Sequence, residues 1–382
     1  MKRTIFDTEH ETFRTQVRDF LTSEVVPHNR AWTEAGIVPR ELFAKAGAAG
    51  LLDTAIPVEY GGRGLRDFRY NQILGEELAA ANLAGVGLGL TLHTDICTPY
   101  LLNLATPEQA QRWLPGVASG EIITAIGMTE PEIGSDLASM TATAIRDGDH
   151  YVVNGHKTLI SNGINADLLI VALKTDPQER HKGISLLVLE RGMPGLEFGK
   201  NLKKVGLKAQ DTAEWLFHDV KVPVANLLGQ EGQGFKHLMI NLPAERLSMG
   251  SYGVSAARAA LEWTLDHVRE RTAFGSPIGT FQNTRFKLAE LATEVDVAQS
   301  FVDACVQAYD TGDLTAADAA KAKWWCTELQ GRALDVAVQL HGGWGYLEEY
   351  AVSTAWVDAR ISRIYGGTTE IMKEVIGRDL GL

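Results

Sequence analysis

The sequence predicts an α+β protein in three consecutive parts: a helical domain over 1–120, a β domain over 121–231 and a second helical domain over 232–382. Two observations carry this. Apolar residues recur at helical spacing through the first part and again from about Gly232, and between them lie short β-prone runs separated by Gly, Pro and Asp clusters. A composition of 45% hydrophobic and 22% charged residues suits a globular chain, and 382 residues suffice for large cores without disulfide staples.

The first helix is expected from the capping-box spacing of Thr8 and Glu11, with Phe13, Val17, Phe20 and Leu21 on one face. Pro39 opens a second helix through 41–47. The turn-rich stretch 60–64 separates it from a third over about 71–81. Thr106-Pro107-Glu108 supplies an N-cap, a proline at the first helical position and an acid in the first turn. In the β part, Asn154-Gly155 between β-prone flanks reads as a hairpin turn, and apolar runs follow at 168–173, 184–189 and 215–217. Beyond Gly232, Val254, Ala257, Leu261, Leu265 and Val268 form one long stripe, and Phe286, Leu288, Leu291 and Val295 begin another.

Charge and cysteines bound the function. Thirty-six basic residues against 48 acidic ones give a net charge of −12, so nucleic acid is not the expected partner. Cys97, Cys305 and Cys326 are far apart, which suits a reducing compartment, and the ten histidines form no ligand spacing, so no metal is expected. The N-terminal residues lack an apolar signal core, and no apolar run reaches the roughly 20 residues needed to span a bilayer. A soluble cytoplasmic protein without membrane insertion is the expectation.

Several motifs could carry chemistry. The glycines of 85–89 lack full dinucleotide-binding spacing and sit in helical context, so close helix packing is the better account. The MTEPEIGSD stretch over 128–136 is either a hydroxyl-rich ligand loop or a plain connection. The YGGTTE stretch over 365–370 offers N–H groups at a helix N-terminus, or is an ordinary capped turn. QLHGGWGY over 339–346 is a glycine-rich break after a helix. Glu245, placed at the start of the long helix with Met249 at i+4 and Gly253 at i+8, is either a desolvated proton acceptor or a solvated acid favoured by the helix dipole.

Together with NGHKTLISNG over 154–163 and RTAFG over 271–275, these segments resemble the signatures of the acyl-CoA dehydrogenase family along essentially the whole chain. The resemblance implies a helical domain, a β-barrel-like middle domain and a C-terminal four-helix bundle. It implies FAD and a role in fatty acid β-oxidation. Thr129 would hydrogen-bond the flavin's pyrimidine edge beside Met128, Ser161 would lie near N5, and Leu159 would stand against the flavin where relatives commonly carry an aromatic residue. Ser135 would sit where FAD meets the pantetheine of CoA. Arg271, Phe274, Gln282, Gln339, Gly342 and Gly343 resemble positions that hold the ADP half of FAD from a neighbouring subunit, and Thr368 and Glu370 match residues contacting the same cofactor. A homodimer or homotetramer follows.

Many relatives place the catalytic glutamate directly after the tyrosine of the YxGT turn, where this chain has Gly366. The long-chain and isovaleryl-type members place it on the long helix, in a context that Leu242-Pro-Ala-Glu245-Arg246 resembles. Glu245 is therefore implied as the α-proton base, flavin N5 as hydride acceptor and trans-2-enoyl-CoA as product. Gly366 and Gly367 would meet the thioester, with Arg246 at the helix turn or the CoA portion, and small residues over 82–90 beside the acyl tail. An electron-transfer flavoprotein would reoxidise the cofactor. The competing readings are a flavoenzyme of this fold acting on a carrier-protein thioester, and a non-catalytic FAD- or acyl-CoA-binding homologue.

Overall fold

A computed structural model describes residues 3–382. Seven α-helices come first: α1 (Thr8–Phe20), α2 (Asn29–Ala35), α3 (Glu41–Ala48), α4 (Phe68–Ala80), α5 (Ala84–Thr91), α6 (Thr98–Leu104) and α7 (Pro107–Ser119). The apolar stripe of α1 is buried as its spacing predicts. Its cap lies one residue earlier than expected: Asp7 accepts from the N–H groups of Glu9 and His10, and the His10 ring reaches back to the Asp7 backbone, so Thr8 and Glu11 form no box. Aspartate is at least as good a cap as threonine, and imidazole takes the place of the usual glutamate. Thr106 and Gln109 form a true capping box on α7.

Eight strands follow: β1 (Thr124–Gly127), β2 (Thr143–Asp147), β3 (His150–Ser161), β4 (Leu168–Lys174), β5 (Ile184–Glu190), β6 (Leu196–Phe198), β7 (Thr212–Pro223) and β8 (Leu227–Leu228). Their order is β6-β7-β3-β2-β4-β5-β8, with β1 pairing β4 in parallel. The halves β6-β7-β3-β2 and β1-β4-β5-β8 meet through one parallel pair, Thr143 with Lys174, so the sheet bends there. Both halves turn side chains such as Tyr151, Val153, Leu169, Leu187, Trp215 and Phe217 into one core, which makes a barrel-like body.

The hairpin expected at Asn154-Gly155 is not there. β3 runs straight through these residues, and the turn joining β2 to β3 falls at Gly148. Asn154-Gly155 marks a bulge instead. Asn154 exchanges side-chain hydrogen bonds with Asp219 across to β7, and Gly155 lies so close to Ala142 that a Cβ would meet it at 2.5 Å.

The C-terminal part comprises α8 (Gly234–Glu270), a two-residue ribbon β9 (Thr272–Ala273) and β10 (Ser276–Pro277), then α9 (Gln282–Thr311), α10 (Ala316–His341), α11 (Ala351–Ala359) and α12 (Thr369–Asp379). Helices α8, α9 and α10 share a core through Val254, Leu261, Leu291, Val302, Cys326 and Leu329, with α12 against α10. Phe286 departs from its expected stripe and is exposed, because the buried face of α9 runs through Leu288, Leu291 and Val295.

Candidate active site

Glu245 is not at a helix start. It lies eleven residues into α8, past Pro243, which stays within the helix. Proline removes one donor, and the carbonyl it deprives belongs to Met239, on a face partly open to water. The dipole argument for a solvated acid therefore fails, and the side chain is only 4% exposed. Burial pushes its carboxyl up to about 7, opposed by a hydrogen bond from Tyr100 and by the charge of Arg246. The Tyr100 hydroxyl, on α6, donates to Glu245 Oε1 at 2.8 Å.

One turn on, Met249 packs under the turn that precedes α12. Gly366 has φ 63°, and a Cβ added there would lie 2.3 Å from Met249 Sδ. A side chain here would need left-handed backbone and would have to displace the end of Met249, while α8 carries an acid on the neighbouring turn. The N–H groups of Gly366 and Gly367 donate to no group among the described residues. Lys323, fully buried on α10, donates to the Gly367 carbonyl at 2.5 Å and is pulled down to about 8, first by burial and then by Arg246. Arg246 is buried as well, and its Nε has no partner. Thr368 caps α12 by accepting from the Ile371 N–H, and Glu370 projects from its exposed first turn. Tyr100 and Lys323 were not singled out from sequence. Each is one polar residue in an ordinary helical pattern, and no local signal marks it.

A narrow pocket opens beside this turn. On α8 its lining runs from Ser248 and Met249 to Trp263, on the order of 22 Å of helix axis. Asn82, Ala84 and Leu88 line it too, as expected of the 82–90 stretch. The glycines of that stretch serve packing: a Cβ on Gly85 would meet Ala209 at 3.3 Å, and one on Gly87 would meet Leu78 at 2.9 Å.

The expected flavin residues fall into two groups. Met128 and Thr129 follow β1 and are tied to β3, where the Thr158 N–H donates to the Thr129 carbonyl and Lys157 Nζ donates to the Met128 carbonyl, both at 3.0 Å. Leu159 and Ser161 stand on the same stretch of β3. Leu159 has φ 58° at a bulge and is 63% exposed, an apolar side chain held outward. Ser135 is exposed in the following loop. Beneath them Lys157 forms a buried ion pair with Glu130 at 2.9 Å, and Glu130 also accepts from the Thr141 and Ala142 N–H groups. Sequence inspection missed this pair, whose members are 27 residues apart in different motifs.

The second group is elsewhere. Arg271 closes α8, Phe274 sits at φ 52° in the ribbon turn and is 98% exposed, and Gln282 opens α9 with its side chain exposed. Arg271, Gly342 and Gly343 line an open pocket beside the stacked rings of His267 and His341, with Gln339 exposed at the end of α10. A Cβ on Gly342 or Gly343 would meet nothing within 4 Å, so the backbone here is a bare cradle. Arg271 is 26 residues beyond Glu245, on the order of 39 Å along the helix. Among the described residues no hydrogen bond joins the two groups, and the pocket at Arg271 takes no residue of the first.

The chain matches three family models in order: the acyl-CoA dehydrogenase N-terminal domain over residues 7–121, the middle domain over 125–220 and the C-terminal domain over 232–381. The chain belongs to the acyl-CoA dehydrogenase family. It is thereby an oxidoreductase, and its three-part fold is that of the family. It is 46% identical over 380 residues to the long-chain specific mitochondrial acyl-CoA dehydrogenase of Rattus norvegicus, covering 99% of this chain and 88% of that one. Among solved structures it resembles an acyl-CoA dehydrogenase from Geobacillus kaustophilus, with TM-score 0.95 and 48% identity over 99% of both chains. A structure described as the electron transferring flavoprotein of Acidaminococcus fermentans matches with TM-score 0.94 and 34% identity, over 100% of this chain and 99% of that one.

Proposed function

We propose that this family member dehydrogenates an acyl-CoA thioester to the trans-2-enoyl-CoA, with Glu245 as the base that takes the α-proton. The observation that carries this is the buried Glu245 carboxyl, one helical turn from Met249, which packs beneath a glycine turn whose N–H groups have no partner among the described residues. A base near neutrality suits an α-proton that a thioester acidifies only moderately. The Gly366 N–H would donate to the thioester carbonyl as charge develops on it, a contribution of about 3 kcal/mol for one such donor. The cavity from Ser248 to Trp263 would take the acyl tail away from water, and its length suits a long chain.

FAD fits the residues present. The outward apolar Leu159 and Phe274 and the bare Gly342-Gly343 cradle are surfaces a flat ring system and a pyrophosphate would cover. When bound, it supplies the two-electron acceptor for the β-hydrogen. Met128, Thr129, Leu159 and Ser161 would hold its flavin half in one subunit. Arg271, Phe274, Gln282, Gln339, Gly342 and Gly343 of a second copy would hold the ADP half, beside Thr368 and Glu370. Ser135 and Arg246 would face the CoA side. The distance from Glu245 to Arg271 along α8 supports a shared site, because one dinucleotide cannot reach both ends within a chain. A homodimer or homotetramer is therefore the working form, with an electron-transfer flavoprotein as acceptor.

The test is the visible spectrum of the purified protein, followed by anaerobic titration with acyl-CoAs of graded length and branching. A flavin band that bleaches with one chain class is the expected result. A colourless protein that refuses FAD on reconstitution would overturn the reading.

A further inference from the structure

We infer that Tyr100 is a positioning residue for the base: its hydroxyl holds Glu245 by one oxygen and leaves the other to receive the substrate proton. The inference rests on the assignment of Glu245 as base. Tyr100 is fully buried on α6 and donates to Glu245 Oε1 at 2.8 Å, whereas Oε2 makes no hydrogen bond among the described residues. The two oxygens of the carboxylate are thus inequivalent before any substrate arrives.

The surroundings make Tyr100 a lasting donor. Burial and the adjacent carboxylate both push its hydroxyl well above its usual range, so it stays protonated wherever the base works. The other titratable or charged groups at Glu245 are few. Cys97 lies on the α6 side and stays a thiol, its own acidity suppressed by burial. Arg246 follows on the same helix, and Lys323 reaches from α10 to the turn behind it. Of these, only Tyr100 makes a hydrogen bond to the carboxylate.

In the reaction the Cα–H bond breaks, its proton passes to Oε2, and its electron pair remains on the substrate to form the new double bond as the β-hydrogen leaves with its own pair for the two-electron acceptor that bound FAD would supply. Throughout, Tyr100 keeps Oε1 in place and favours the ionised carboxylate before transfer. Without that donor, burial acts on Glu245 unopposed except by Arg246, and a more alkaline medium is needed to ionise it.

The experiment is the pH dependence of anaerobic flavin bleaching by a saturated acyl-CoA, in the wild-type holoenzyme, in Tyr100→Phe and in protein carrying 3-fluorotyrosine at position 100. The wild-type rate is expected to rise through about pH 7. Tyr100→Phe should move the midpoint up by about one unit, and 3-fluorotyrosine, a stronger donor of nearly the same shape, should move it down. The fluorinated protein keeps the test open if the phenylalanine variant folds poorly. Midpoints unchanged in the substituted proteins, whatever their rates, would overturn the inference. A wild-type rate independent of pH, or no bleaching at all, would overturn the Glu245 assignment together with it.

Discussion

The two ends of α8 are built on opposite plans. At Glu245 the carboxyl is nearly sealed from water and held by Tyr100, and one turn on Met249 packs beneath the glycine turn. At Arg271, Phe274 is almost wholly exposed and the Gly342-Gly343 cradle has nothing against it. The contrast fits the proposal that one chain supplies the base while a second copy completes the cofactor site.

The sharpest way to break this comparison is complementation. Glu245→Gln lacks the base and Arg271→Ala weakens the cradle, so each homodimer should be nearly inactive. After the two are unfolded and refolded together, mixed dimers contain one site with both native residues, and about a quarter of wild-type activity should return if the site is shared across a two-fold axis. No recovery would mean that each site takes Arg271 and Glu245 from the same chain.

Next in size is the support beneath the flavin strand. Lys157→Met leaves Glu130 buried with only hydroxyl and backbone donors, and should cost about 3–5 kcal/mol in denaturant unfolding. A negligible change would mean that the pair does not anchor the 128–130 segment.

The enclosed end has its own stability signature. The Glu245 carboxyl is raised from an ordinary 4.5 to about 7, so the native state prefers it protonated. Its contribution to stability is complete below pH 4.5 and is lost as pH rises to about 7. Glu245→Gln removes that dependence, and should be more stable than wild type by roughly 3 kcal/mol at pH 8 yet equal to it at pH 4. Parallel stability curves would show that burial does not strain the base.

The smallest effect concerns the glycine turn. Gly366→Ala places a Cβ in left-handed backbone against Met249, and should cost about 1–2 kcal/mol and weaken thioester binding. A neutral result would mean that the turn has room for the side chain relatives carry there.

Much of this was legible in sequence. The stripes of α1 and α8 and the apolar runs that became β4 and β5 were read from periodicity and β-propensity, because each is a local pattern set by which face is buried. Asn154-Gly155 misled because turn chemistry and bulge chemistry share residue types, and only Asp219 and Ala142 distinguish them. From sequence Glu245 falls at a helix start, whereas α8 runs on through Pro243, and the carbonyl left without a donor belongs to the partly exposed Met239. Tyr100, which holds the base, lies 145 residues before it, and Lys323, which holds the glycine turn, lies on another helix after it; both reach the site only by tertiary packing.

The most direct test of the central claim is single-turnover flavin bleaching by Glu245→Gln holoenzyme mixed anaerobically with the acyl-CoA that bleaches the wild type. Glutamine keeps the shape and can still accept from Tyr100, but it cannot take a proton. A loss of at least ~10³-fold in bleaching rate, with FAD and ligand still bound, is the predicted result. Bleaching at the wild-type rate would contradict the assignment of Glu245 as the base.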